Sequence, residues 1–246
     1  MNKNRILAAF LFVVMLFATS SAYAHGVWFA MRCDRTQLVC GEGWKDNGYD
    51  PNGLIRMNGY DAAYGSVEVK PINGENYFYI KPDDKTSVVY VELDYGFWSN
   101  SPDGTWIPKP MTEVEGSTIG THALKYSINY LKGVEKIAPI SGVLYQLVPS
   151  VDPTKLAVGE EFKVQLLNGD KPMANIAIIP DVLNHHTETI KTDENGFATV
   201  KASNGGLNVI GCEMVVPYEN EGIDKKATRS KVFVSLSFTL YPPEED

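Results

Sequence analysis

The chain is poor in the residues that most often carry covalent chemistry. It has three cysteines and four histidines among 246 residues, and no histidine has a serine or cysteine partner in a nucleophilic pattern. No Gly-x-Ser-x-Gly elbow is present. A phosphate-cradling glycine loop and a zinc-protease motif are also missing. The acidic pairs Asp83-Asp84 and Glu160-Glu161 read as solvated turn residues. A hydrolase therefore has no positive support, and the expectation is a protein that is not an enzyme. Basic residues are scarce too: 22 Lys and Arg stand against 30 Asp and Glu, a formal net charge of −8. That balance argues against nucleic acid and anionic membrane as partners, and for attraction of cations. Helical periodicity is hard to find, and no segment beyond residue 24 approaches the length of a membrane span.

What is present begins with a secretory pattern. Lys3 and Arg5 precede an uncharged apolar run, Ile6 to Ala18, and Ala22 and Ala24 supply the small residues that a signal peptidase reads. We expect residues 1–24 to be a cleaved signal peptide and the mature protein to be periplasmic, with no membrane span after cleavage. Loss of Lys3 and Arg5 leaves 20 basic and 30 acidic residues, a net charge of −10. Cleavage after Ala24 would make His25 the first residue, so that one residue carries both a free α-amine and an imidazole. The amine, with an unperturbed pKa near ~8, yields its proton to a metal under ordinary conditions. The alternative is that His25 simply begins an edge strand.

Alternating apolar residues and closely spaced turn signals predict an all-β fold of two β-sandwich domains, residues 25–149 and 150–246. In the first, strands are expected at Val27–Arg32, Leu54–Tyr60, Ser66–Lys70, Tyr77–Lys81 and Ser87–Asp94. His122–Leu131 is read as strand over helix because its neighbours are β. In the second they are expected at Glu161–Leu167, Asn175–Pro180, Thr187–Lys191, Phe197–Ala202, Leu207–Val216 and Lys231–Tyr241. Six short strands in under a hundred residues fit an immunoglobulin-like sandwich. The segments Lys171–Asn175 and Thr192–Phe197 also resemble the transthyretin-like type. Tyr95–Pro110, with Trp98, Trp106 and Lys109, is read as a stiff aromatic loop of functional type; alternatively its two Trp residues pack over an open sandwich end. Cys33 and Cys40 flank a polar stretch suited to a turn, so a disulfide across a short hairpin is expected. Cys212, in an apolar run, reads as a buried thiol, with a metal thiolate as the sharper alternative.

Amine and imidazole donors suit nickel, cobalt, copper or zinc and serve magnesium or calcium poorly. The amino-terminal chelate that uses backbone amides needs histidine third, where this chain has Val27. His122 alone is either a ligand or a hydrogen-bonded surface residue. His185 and His186 are adjacent, so in an extended segment only one could enter a given site.

Several segments together resemble the periplasmic accessory proteins of bacterial nickel and cobalt uptake systems. They are His25-Gly26-Val27-Trp28, Tyr49-Asp50-Pro51, Tyr60-Asp61-Ala62-Ala63, the Trp98–Pro110 segment followed by Glu113-Val114, and His122–Tyr126. The resemblance implies capture of Ni²⁺ or Co²⁺ for a membrane uptake transporter. It marks His25 and His122 as metal-site residues and Trp98, Trp106 and Lys109 as the loop around them. Two other cargoes or chemistries use the same donors. One is a copper chaperone; the other is a copper-dependent oxygenase of the polysaccharide monooxygenase kind, with His25 and His122 forming a histidine brace.

Overall fold

The computed structural model describes residues 25–43, 45–185 and 187–240. The signal-peptide expectation, Met1 to Ala24, and His186 lie outside the described residues. Among the described residues no helix is long and apolar enough to cross a membrane.

The fold is all-β and is organised around one sheet of nine strands. Its backbone runs β15 (Ile190–Lys191), β14 (Ala177–Ile179), β17 (Leu207–Pro217), β18 (Arg229–Thr239), β10 (Gly120–Tyr130), β8 (Val88–Asn100), β4 (Leu54–Tyr60) and β5 (Ser66–Val67), with β9 (Trp106–Ile107) on β8. A second sheet joins β1 (Gly26–Arg32), β2 (Arg35–Glu42), β7 (Phe78–Ile80) and β6 (Ile72–Asn73), with β3 (Lys45–Asn47) on β2. A third contains β11 (Tyr145–Pro149), β12 (Glu161–Asn168), β13 (Lys171–Pro172) and β16 (Phe197–Lys201).

The nine-strand sheet is the middle layer of a sandwich, and strand alternation shows it. In β8, Val88 and Tyr90 enter one core with Leu147, Phe162 and Leu166 of the third sheet, whereas Val89, Val91 and Leu93 enter another with Val27, Phe29 and Leu38. Both faces are therefore dry, which explains the unbroken apolar run Val88-Val89-Tyr90-Val91. Burial of each such side chain contributes roughly 1.5–3 kcal/mol.

This layering revises the expected domain division. Strands from both halves of the chain share the middle sheet, joined by a parallel pairing of β10 with β18 from Thr121↔Arg229 to Tyr130↔Phe238. Strand β11, assigned by sequence to the first domain, pairs with β12 of the second. The parallel pair joins residues far apart in sequence, so local patterning carries no sign of it.

The Cys33–Cys40 disulfide is also corrected: both thiols are free, Cys33 exposed and Cys40 buried. The hairpin turn is Cys33-Asp34 itself, with φ of 47° and 59°, closed by Arg32↔Arg35. Cys40 lies opposite Val27, far down the ladder. At about 3.3 Å per residue the two are roughly 20 Å apart, while a disulfide needs Cα atoms within about 7 Å.

Strand β1 is latched to the middle sheet by buried polar groups. The Phe29 N–H donates to Asn129 Oδ1 at 2.8 Å, and the same oxygen accepts from Ser237 Oγ at 2.7 Å. The Ser235 hydroxyl donates to the Val27 carbonyl. These bonds satisfy backbone groups that a strand crossing another sheet's face would otherwise leave orphaned. They also fix where His25, two residues before Val27, must sit.

Candidate functional site

Two clusters of polar and aromatic side chains flank one end of the middle sheet, one on each face. The first is built by β1 and β2. Their register, Gly26↔Gly41, continues one step to set His25 opposite Glu42. His25 Nε2 lies 3.8 Å from Glu42 Oε1, and Glu42 Oε2 is buried with no hydrogen-bond partner among the described residues. An unpartnered buried carboxylate oxygen is costly and calls for a ligand or cation. Cys40 follows on the same side of β2, and its thiol and the Tyr95 hydroxyl influence each other's titration. The Tyr95 ring stacks on Trp98 at 6.0 Å and lies 6.5 Å from the His25 ring.

Beneath this cluster lies Lys125, only 2% exposed, with its ammonium 5.4 Å from the Tyr95 ring centroid and 5.9 Å from that of Phe233. Burial drives the local titrations. It pushes Lys125 down to about 8, against the pull of Cys40 and Glu213. It pushes Cys40 up to about 11 and Tyr95 up to about 12. Desolvation also lowers His25; Glu42 opposes the shift, and Lys125 and Lys45 reinforce it. The imidazole is thus held neutral, the form that donates to a metal.

The second cluster surrounds His122. Its Nε2 is 2.9 Å from Asp94 Oδ1, its ring stacks on Phe97 at 4.4 Å and 8°, and Tyr218 meets it edge-on at 5.7 Å. Tyr218 in turn donates to Asp224 at 2.9 Å. Desolvation would raise Asp94, but the hydrogen bond and charge of His122 and the Gly96 amide outweigh it and hold the carboxyl below its usual range. When Asp94 accepts from Nε2–H of the neutral ring, Nδ1 keeps its lone pair.

A single β-bulge in β8 feeds both clusters. Gly96 pairs with Ala123 and Asp94 with Leu124, so Tyr95 is an extra residue. Gly96 sits at φ +91°, where side chains are strained, and its N–H donates to Asp94 Oδ1 at 2.8 Å. As a result Asp94 and Phe97 serve the His122 face, and Tyr95 and Trp98 serve the His25 face.

The structure does not bring His25 and His122 together. His122, Leu124 and Tyr126 line one cavity on one face of β10, while Lys125, electrostatically coupled to His25, lies on the other. Of the expected loop residues, Trp98 joins the His25 cluster through Tyr95. Trp106 is 43% exposed on β9, and Lys109 is exposed, its carbonyl accepting from Ser99. Neither belongs to either cluster, and Tyr95–Asn100 is strand, not loop. His185 is exposed beside Glu188. Among the described residues no three His, Cys, Asp or Glu side chains are grouped to hold a metal. Sequence reasoning missed Glu42 and Asp94. Glu42 was within reach through the alternation Leu38, Cys40, Glu42; Asp94 gives no local signal.

Comparisons with known proteins add a family. An uncharacterized protein of Haemophilus influenzae is 24% identical over 166 residues, covering 66% of this chain and 70% of that protein. No solved structure matches. Residues 51–215 match the family described as Domain of unknown function (DUF4198), a span that contains Asp94 and His122 and excludes His25 and Glu42. Since that match covers more than half of the sequence, the chain belongs to the DUF4198 family.

Proposed function

We propose that the protein is an exported, non-enzymatic binding protein that captures Ni²⁺ or Co²⁺ at His25 and Glu42 and passes it to a membrane uptake transporter. The observation that carries this reading is the buried, unpartnered Glu42 Oε2 on the carboxylate whose other oxygen lies 3.8 Å from His25 Nε2. Cleavage after Ala24 would add the α-amine, giving an amine, an imidazole and a carboxylate on one ion. Mixed nitrogen and oxygen donors suit late first-row divalent metals. Lys125 and Lys45 lower the His25 pKa and so place positive charge nearby; that repulsion favours release over trapping, as delivery requires. His122 is left out of the ligand set. A two-histidine copper brace needs both imidazoles on one ion, and the middle sheet separates them.

The test uses the processed protein, its amino terminus established by intact mass, in calorimetric titration with Ni²⁺ and Co²⁺. Glu42→Gln, His25→Ala and an Ala inserted before His25 should each weaken binding at least tenfold, and His122→Ala should leave it within twofold. Unchanged affinity in Glu42→Gln would sink the assignment.

A further inference from the structure

The His122 face holds a feature that metal capture leaves unused. Between β10, β17 and β18 on one side and the start of β11 on the other is a cavity of about 130 Å³. For scale, an apolar cavity of ~150 Å³ admits a benzene-sized ligand. Its lining combines Tyr126, Tyr145 and Tyr218 with aliphatic side chains such as Leu124 and Val232; Tyr126 and Tyr145 meet edge to face at 5.1 Å, and the lining His122 packs between Phe97 and Tyr218.

The charges around the cavity have one dominant sign. Burial first, then Glu92, Glu219 and Asp94, raise the Tyr126 hydroxyl, and Glu219 also acts on Tyr145. Glu92 is answered by Arg56 at 3.6 Å, Asp94 by His122, and Asp224 by Lys226 at 4.0 Å and Tyr218. Glu219 lines the cavity and has no hydrogen-bonding or ion-pairing partner among the described residues. A cavity with largely apolar and aromatic walls and one exposed, unanswered carboxylate is complementary to a compact cation with an apolar surface.

We propose that this cavity binds a compact alkylammonium ion, its apolar body against Tyr126, Tyr145 and Tyr218 and its charge facing Glu219. The site lies on the opposite face from His25 and operates independently of the metal. The probes are tetramethylammonium and ethylammonium, titrated onto the full processed protein by saturation-transfer NMR, with tert-butanol as the uncharged counterpart of similar size. At least one ammonium should bind saturably, and at least tenfold more tightly than tert-butanol. Glu219→Gln, an exposed substitution with no packing role, should weaken ammonium binding about fivefold or more without changing Ni²⁺ affinity. Tyr218→Leu should weaken it at least as much while the far-ultraviolet spectrum stays that of the parent. The proposal is overturned if neither ammonium saturates, if tert-butanol binds within twofold of them, or if Glu219→Gln leaves their affinity unchanged.

Discussion

The two faces of the middle sheet begin with the same strands and arrive at different chemistry. On the His25 face the deepest polar groups are covered by a second sheet: Lys125 and Cys40 are buried, while His25, Glu42, Tyr95 and Trp98 are partly exposed. On the His122 face lies a cavity lined by Tyr126, Tyr145 and Tyr218 together with aliphatic side chains. The first face offers a few fixed donors suited to an ion, and the second an aromatic hollow suited to a small molecule. One inserted residue, Tyr95, lets a single strand supply side chains to both. A histidine near the end of a sheet strand therefore says little until its face is known.

The largest expected effect comes from removing the latch that defines the first face. Asn129→Leu leaves the Phe29 N–H and the Val89 carbonyl without their buried partner, and each such loss costs about 1–3 kcal/mol. We expect a loss of about 3 kcal/mol or more in urea unfolding, with hydrogen exchange accelerating first in β1. Loss of the first face should also abolish metal capture in any population where β1 is released.

Next in size is Lys125, whose burial opposes folding at neutral pH. Its folded pKa of about 8 lies below the ordinary lysine value of 10.5, so between these values the unfolded chain binds the extra proton. Stability from this group therefore rises with pH across that window and is lowest below pH 8. The shift corresponds to roughly 3 kcal/mol. Lys125→Met should be more stable than the parent at pH 7 by about 1–3 kcal/mol, and that advantage should vanish as pH climbs from 8 toward 10.5. Paired denaturant titrations at several pH values check this, since Cys40 and Tyr95 titrate in both proteins.

A cross-face experiment sharpens the comparison further. Glu42→Gln should weaken metal binding at least tenfold and leave ammonium binding alone; Glu219→Gln should do the reverse. Calorimetry with Ni²⁺ and NMR with tetramethylammonium on both variants give a two-by-two outcome, and coupling of more than about threefold would show that the faces communicate. The smallest effect concerns the thiols. Iodoacetamide should label Cys33 alone in the folded protein and all three cysteines after denaturation, with little change in stability, as counted by intact mass.

Much of the strand pattern was legible in the sequence, because a half-buried strand writes its alternation directly: β1, β4, β12 and β17 lie within a residue or two of expectation. Strand β8 was cut short at Asp94 because the bulge interrupts the alternation, so Gly96-Phe97-Trp98 read as loop. Strand β2 was missed because the polar residues after Cys33 looked like a turn, whereas the turn uses two left-handed residues, Cys33 and Asp34. His25 was singled out from the leader and the donor chemistry alone. That it lies on the opposite face from His122 depends on how β1 docks, a tertiary fact that no local spacing encodes. Asn129, Ser235 and Ser237, polar residues recurring in otherwise apolar strands, were the overlooked sign of that docking.

The parallel pairing of β10 with β18 also governs when the protein can fold. Partners such as Ser127 and Ser235 are separated by 108 residues, and the strand that completes the middle layer is the last one made. Until β18 emerges, β10 presents an unpaired edge and the core shared with the third sheet lacks Val232, Val234, Leu236 and Phe238. Such long-range closure is intrinsically slow. For a chain expected to cross a membrane as an unfolded thread that delay is useful, because the middle layer is completed only after β18 has passed.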